Sequence, residues 1–167
     1  PLMLDFKAPA QYLESVIVNQ TSVNPLFENE HIIIPEESLT MGENKIRINF
    51  RVGETSLNRN QDFLYTLFVP ERARTAFPCF DQPDLKASFQ LELTIPDQWV
   101  GISNGPLESE NVVNGRKTLT FQATDLMSTY LFDFVVGDFE VVSRVINGRK
   151  MTMIHRETDS LKVSRNL

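Results

Sequence analysis

Two histidines, one cysteine and a few close-set carboxylates are the residues of this 167-residue chain that could do chemistry, and none of them is spaced for it. Two imidazoles reach one metal ion when they stand a helical turn apart, as in H-E-x-x-H, where the first Glu also activates the bound water. His31 and His155 instead stand singly in or beside apolar strand patterns, which reads as strand residues rather than ligands. His155-Arg156-Glu157 offers H-x-E, but a zinc deaminase site also requires P-C-x-x-C, and Pro78-Cys79-Phe80-Asp81 has no second cysteine. Cys79 lies between Phe77 and Phe80 and reads as a small buried hydrophobe; a nucleophilic thiol would need a partner base. Glu36 and Glu37, taken as neighbours on a strand, point to opposite faces and make a poor acid/base pair. Asp81 and Asp84 sit in a Pro-rich turn, where an Asp side chain commonly bonds local backbone. There is no G-x-S-x-G, Walker loop or G-x-G-x-x-G. The expectation is a chain with no catalytic residues and no metal site.

The elements that position these residues follow a period of two. In Lys45–Val52 the apolar side chains take every second position, the pattern of a strand with one wet face. Phe89, Leu91, Leu93 and Ile95 repeat it, as do Leu119, Phe121 and Ala123. Further strands are expected at Glu14–Val18, His31–Ile34, Phe63–Val69, Trp99–Ile102, Tyr130–Val136, Phe139–Val145 and Lys150–Ile154. Asn114-Gly115 and Asn147-Gly148 lie between such runs and suit two-residue hairpin turns, whose central residues need positive φ. No long amphipathic helix is evident; at most a short turn is expected at Pro35–Leu39 or near Ala123–Met127. Many short strands with few helices predict an all-β fold, an antiparallel sandwich or curved sheet pair.

Between the apolar runs of Phe63–Val69 and Phe89–Ile95 lies a long block dense in Pro, Arg, Asp, Cys and Phe, far longer than a hairpin turn. An irregular segment carrying its own apolar plugs is commonly rigid and lies beside functional surface. This block, PERARTAFPCFDQPDLKASF, resembles the N-terminal domain of the aminopeptidase N-type (gluzincin) zinc metallopeptidases, whose pattern is approximately E-P-x-x-A-R-x-x-F-P-C-x-D-E-P-x-x-K-A-x-F. The matching positions are Pro70, Ala73, Arg74, Phe77, Pro78, Cys79, Asp81, Pro83, Lys86, Ala87 and Phe89. Ser103-Asn104-Gly105-Pro106 and Met127-Ser128-Thr129-Tyr130-Leu131 match next, the latter continuing through Phe134, Val136, Gly137, Asp138 and Phe139. The three blocks stand in the family's order over roughly residues 32–139.

The resemblance implies a saddle-like antiparallel β-domain that walls the cleft of a zinc-bearing catalytic domain on the same polypeptide and restricts it to peptide N-termini. Residues 1–155 would form that domain, with its first strands upstream of Pro1, and 156–167 an exit segment toward the catalytic domain. Zinc would be carried by the parent protein and not by this chain, which lacks both H-E-x-x-H and the family's G-x-M-E-N. Arg74, Pro78, Cys79, Asp81 and Pro83 would be structural, with an Arg74–Asp81 ion pair bracketing the loop. Many family members carry Gln and Glu just before this loop, in T-Q-x-E-P, as acceptors for the substrate's amino group. Aligning Thr66 and Pro70 places Leu67 and Val69 there, on one apolar face with Phe63 and Tyr65 by strand alternation and unable to accept a hydrogen bond.

Composition narrows the partners. A formal charge of −6 argues against nucleic acid and anionic membrane surfaces. No run approaches the roughly 20 apolar residues of a spanning helix, and Pro1-Leu2-Met3-Leu4 lacks a leader pattern. The expected partners are the catalytic domain and peptide substrates. A stand-alone sandwich used for binding, and the scaffold domain of an inactive peptidase relative, remain as alternatives.

Overall fold

Alternation fixes which way each strand faces, and four tight turns fix which strands pair. In the computed structural model, which describes residues 1–165, the strands run β1 Leu2–Asp5, β2 Leu13–Val18, β3 Thr21–Val23, β4 Leu26–Glu28, β5 His31–Ile34 and β6 Ile46–Phe50. They continue as β7 Leu57–Arg59, β8 Phe63–Thr66, β9 Glu92–Pro96, β10 Val100–Ser103, β11 Leu107–Val113 and β12 Arg116–Phe121. The series ends with β13 Phe134–Gly137, β14 Glu140–Ile146, β15 Arg149–His155 and a short helix, α1 Ser160–Arg165. All the strand pairings are antiparallel, so the chain is an all-β domain of several sheets.

The expected Asn-Gly turns join β11 to β12 and β14 to β15, with Asn114, Gly115, Asn147 and Gly148 all at positive φ. Two more hairpins use the same device without glycine. Asn19-Gln20 joins β2 to β3, and Asn29-Glu30 joins β4 to β5, again with positive φ at both positions. Asn tolerates this conformation better than other side chains do.

Sheet order β1-β5-β4 packs against β3-β2-β6, and between them Leu4, Phe6, Val16, Val18, Ile32 and Ile34 form the first core. Sheet β11-β12-β9 packs against β10-β13-β8-β7, enclosing Ile95, Leu119, Phe121 and Val136. The Pro-rich block lies between these layers and supplies a third cluster around Phe68, Ala73, Ala76 and Phe132.

Several expectations are corrected. β8 ends at Thr66 rather than Val69, and the strand expected over Phe89–Ile95 begins only at Glu92. The first residues of the expected strand Tyr130–Val136 belong to a 3-10 turn over Thr129–Leu131, because those backbone groups bond within the turn and to Asn104. Glu36 and Glu37 are not strand neighbours; they lie in a 3-10 turn over Glu36–Ser38, inside the short turn expected at Pro35–Leu39. Ala123–Met127 forms no helical turn and ends in a bridge between Met127 and Ala87. Within the expected exit segment, 156–165 hold the turn into α1, and 166–167 lie outside the described residues.

Candidate functional site

β8 lies between β13 and β7 in the four-stranded sheet, and the segment after it, residues 67–70, leads into the motif loop. Their even-numbered side chains turn inward: Leu64 joins the second sandwich core, and Thr66 and Phe68 are buried. Thr66 is held by its hydroxyl, which donates to Asp133 and accepts the Phe134 N–H at 3.0 Å. Phe68 is held by aromatic packing on Phe77 at 5.6 Å and Phe132 at 6.3 Å between centroids. Phe132 itself lies stacked 4.6 Å from Phe89. The inward half of the segment is therefore locked.

The odd-numbered side chains turn outward. Leu67 is 49% exposed, Val69 52% and Tyr65 39%, and Tyr65 stacks on Phe63 at 6.1 Å. Register places Ile102, Val135, Tyr65 and Asn58 side by side across β10, β13, β8 and β7, on this same outer face. The expected shared face of Phe63, Tyr65, Leu67 and Val69 is present, and neighbouring strands widen it into an apolar surface. Arg156 closes one end, its guanidinium 5.5 Å from the Phe63 ring centroid and 2.7 Å from Asp62.

The motif residues hold this segment from behind. Asp81 is buried, and its carboxylate accepts the Arg74 N–H at 3.1 Å and the Thr129 hydroxyl at 2.7 Å. Arg74 and Asp81 do bracket the loop, but the bond is to the Arg74 amide; the guanidinium reaches Glu71 at 3.4 Å instead. That corrects the expected ion pair. A bent loop leaves backbone N–H groups without sheet partners, and a buried carboxylate is a strong acceptor for one of them. Asp81 in turn donates its own N–H to Asp5 at 2.9 Å. Asp5 also accepts Gln82 Nε2 at 3.0 Å and faces His31 Nε2 at 3.1 Å.

Cys79 exchanges backbone hydrogen bonds with Asp5, at 2.8 and 3.1 Å. Its thiol pKa is pushed far up by burial first, then by the charges of Asp81 and Asp5, which disfavours the thiolate. Pro78 immediately precedes this bridge, and the Pro83 carbonyl accepts the Ser128 hydroxyl. Asn104 links the second motif to the third: its carboxamide accepts the Asp133 N–H at 2.7 Å and donates to the Leu131 carbonyl at 3.0 Å. Gly105 is required there, since a Cβ would lie 2.1 Å from the Gln122 carbonyl oxygen.

The residues do not fit zinc. Among the described residues no three His, Cys, Asp or Glu side chains converge. His31 is committed to Asp5, and both ring nitrogens of His155 are buried without a hydrogen-bond partner at the end of β15. Glu157, two residues on, is turned toward α1: it accepts the Asp159 N–H at 3.0 Å and faces Lys162 at 3.4 Å. No helix among the described residues is long and apolar enough to cross a membrane.

Sequence reasoning located the loop and the outward pair Leu67/Val69 but missed the anchors Asp5, Thr129 and Asp133. Thr129 lay inside a recognised block. Asp5 had a weaker signal, a carboxylate set directly before Phe6 in an otherwise apolar strand.

Residues 50–131 match the family model of the Peptidase M1 N-terminal domain. The chain is 29% identical over 171 residues to aminopeptidase M1-C of Oryza sativa subsp. japonica, an overlap of 86% of this chain and 20% of that protein. It is 33% identical to aminopeptidase M1 of Arabidopsis thaliana over 70% of this chain and 15% of that one. It is 40% identical to endoplasmic reticulum aminopeptidase 1 of Mus musculus over 58% and 10% respectively. It thus spans a fifth or less of each of these relatives. Its fold matches the crystal structure of an M1 zinc metallopeptidase from Deinococcus radiodurans with a TM-score of 0.69 at 19% identity, covering 92% of this chain and 38% of that one.

Proposed function

The chain is an N-terminal domain of the aminopeptidase N-type, or M1, peptidase family, and from that premise we propose that it serves as the non-catalytic wall of a peptide cleft in a longer zinc-dependent aminopeptidase. In this reading residues 1–155 are the wall and the following segment leads to the catalytic domain of the same polypeptide. The parent removes N-terminal residues from peptides, and the wall restricts the cleft to chain ends. In this reading zinc and the water-activating groups reside on the catalytic part.

One observation carries the proposal: the strand extension at Leu67–Pro70 is fixed on its inner side by Thr66 and Phe68 while Leu67 and Val69 stand half-exposed on the outer side. A rigid ledge with outward side chains is what a cleft wall requires. The test is the parent protein's action on a peptide with a free amino terminus and on its N-acetylated counterpart, with and without a chelator. Chelator-sensitive release of the terminal residue from the free peptide alone supports the proposal; no release, or internal cleavage of both, overturns it. The apolar character of Leu67 and Val69 favours one second reading, the scaffold domain of an inactive relative, which the same assay separates.

A further inference from the structure

Asparagine followed by glycine occurs at Asn104-Gly105, Asn114-Gly115 and Asn147-Gly148, and the fold treats the three pairs differently. The pair carries a chemistry of its own. The glycine nitrogen can attack Cγ of the asparagine before it, because glycine has no Cβ to stand in the way. The attack needs a carboxamide free to turn, a backbone free to leave its resting conformation, and access for water.

Asn104 is denied the first two. Its carboxamide accepts the Asp133 N–H at 2.7 Å and donates to the Leu131 carbonyl at 3.0 Å. Gly105 is buried against the Gln122 carbonyl. Asn114 and Asn147 are exposed at hairpin tips, with no hydrogen bond from either carboxamide to another described residue. The space beside Gly115 and Gly148 is open. Both turns rest at positive φ, and each must open before its nitrogen can reach Cγ, so local opening sets the rate. The Asn114 turn is held twice: β12 pairs with β9 as well as with β11, and the Gly115 carbonyl accepts the Asp97 N–H at 3.2 Å. The Asn147 turn closes the ribbon β14–β15, which pairs with no third strand among the described residues. A two-stranded ribbon is only marginally stable in water, and Val145, Ile146 and Met151 stand exposed beside its tip.

We propose that Asn147 is a site of spontaneous deamidation through a cyclic imide, reacting ahead of Asn114, while the fold protects Asn104. A bond forms between the Gly148 nitrogen and Asn147 Cγ, the Cγ–Nδ2 bond breaks, and Nδ2 leaves as ammonia with the Gly148 amide proton. Water then opens the imide at either carbonyl, giving aspartate or isoaspartate with no change of oxidation state. Both products add a negative charge at the tip. Isoaspartate also adds a methylene to the backbone, which a two-residue turn between the paired Ile146 and Arg149 cannot absorb in register.

The experiment incubates the full-length parent in mildly alkaline buffer, native and in denaturant, and follows the three sites by peptide mapping with mass spectrometry. In the native protein Asn147 is expected to convert several-fold faster than Asn114, to both products, with Asn104 unconverted. In denaturant the three sites should convert at comparable rates. Equal native rates at Asn147 and Asn114, or conversion of Asn104 at their pace, overturns the proposal. So does the native rank order persisting unchanged in denaturant, because sequence rather than the fold then sets the rates. In Gly148→Ala the new Cβ hinders the attack, and conversion at Asn147 should fall several-fold with Asn114 unaffected; an unchanged rate at Asn147 overturns the imide route.

Discussion

Replacing Asp81 should cost far more than replacing Arg74, although the two residues meet. Asp81→Ala leaves the Arg74 N–H and the Thr129 hydroxyl, now bonded at 3.1 and 2.7 Å, without their acceptor. Each buried donor so abandoned costs about 1–3 kcal/mol, and partial entry of water brings the expected sum to about 2–4 kcal/mol. In a domain of this size 1 kcal/mol moves Tm by about 2–4 °C, so a fall of roughly 5–15 °C follows. Arg74→Ala keeps its backbone N–H on Asp81 and loses a partly exposed contact with Glu71 at 3.4 Å, expected to be worth less than about 1 kcal/mol. Asp81→Asn, which retains one acceptor oxygen without the charge, should fall between. Urea unfolding followed by the fluorescence of Trp99, the single tryptophan, gives the three values, provided the slope m is unchanged. Equal losses for Arg74→Ala and Asp81→Ala would refute the reasoning and restore a guanidinium–carboxylate pair.

Phe132→Ala should cost about 3–5 kcal/mol, since its ring contacts those of Phe68, Phe77, Phe89 and Phe134; the urea midpoint measures it. Gly105→Ala should be severe because the new Cβ meets the Gln122 carbonyl. Gly148→Ala meets open space and should cost only about 1–2 kcal/mol for its positive φ; comparable losses in the two would contradict the geometry. Cys79 should resist alkylation in the native state at pH 8 and react once the chain is unfolded. Its folded pKa is raised, so above about pH 8.5 the unfolded chain releases a proton that the folded chain keeps. The unfolded state then binds fewer protons, and stability should fall as pH rises from about 8.5 to 10; in Cys79→Ala that part of the slope should vanish.

The sequence made the long strands legible because alternation over five or more residues is hard to produce otherwise. It failed where a strand is too short to show a period: β1, β3, β4 and β7 have three or four residues each and exist through pairing with longer neighbours. The Asn-Gly hairpins were visible because glycine announces positive φ. Asn19-Gln20 and Asn29-Glu30 adopt the same turn without glycine, held by the register of the flanking pairs. At the site, the outward direction of Leu67 and Val69 followed from counting by twos, even though β8 stops at Thr66. The partner of Asp81 did not follow, because a residue list does not distinguish a bond to the Arg74 guanidinium from one to its amide.

That distinction shows how a block so rich in reactive residue types is tied into the fold. A reactive carboxylate or thiol needs an open side and a partner that changes state. Asp81 is closed by two donors, Asp5 by two donors and His31, and Cys79 by burial between two anions. Together they run a continuous set of hydrogen bonds from β1, through the loop, to the turn at Thr129 that orients Phe132. Phe132 stacks on Phe68, and Phe68 is the inner residue between Leu67 and Val69. Removing Asp5 should therefore loosen the ledge without touching it. In Asp5→Ala, amide exchange is expected to quicken at Asp81 and at Phe68–Arg72, while β11–β12 stays protected. Acceleration confined to β1 would break the proposed connection.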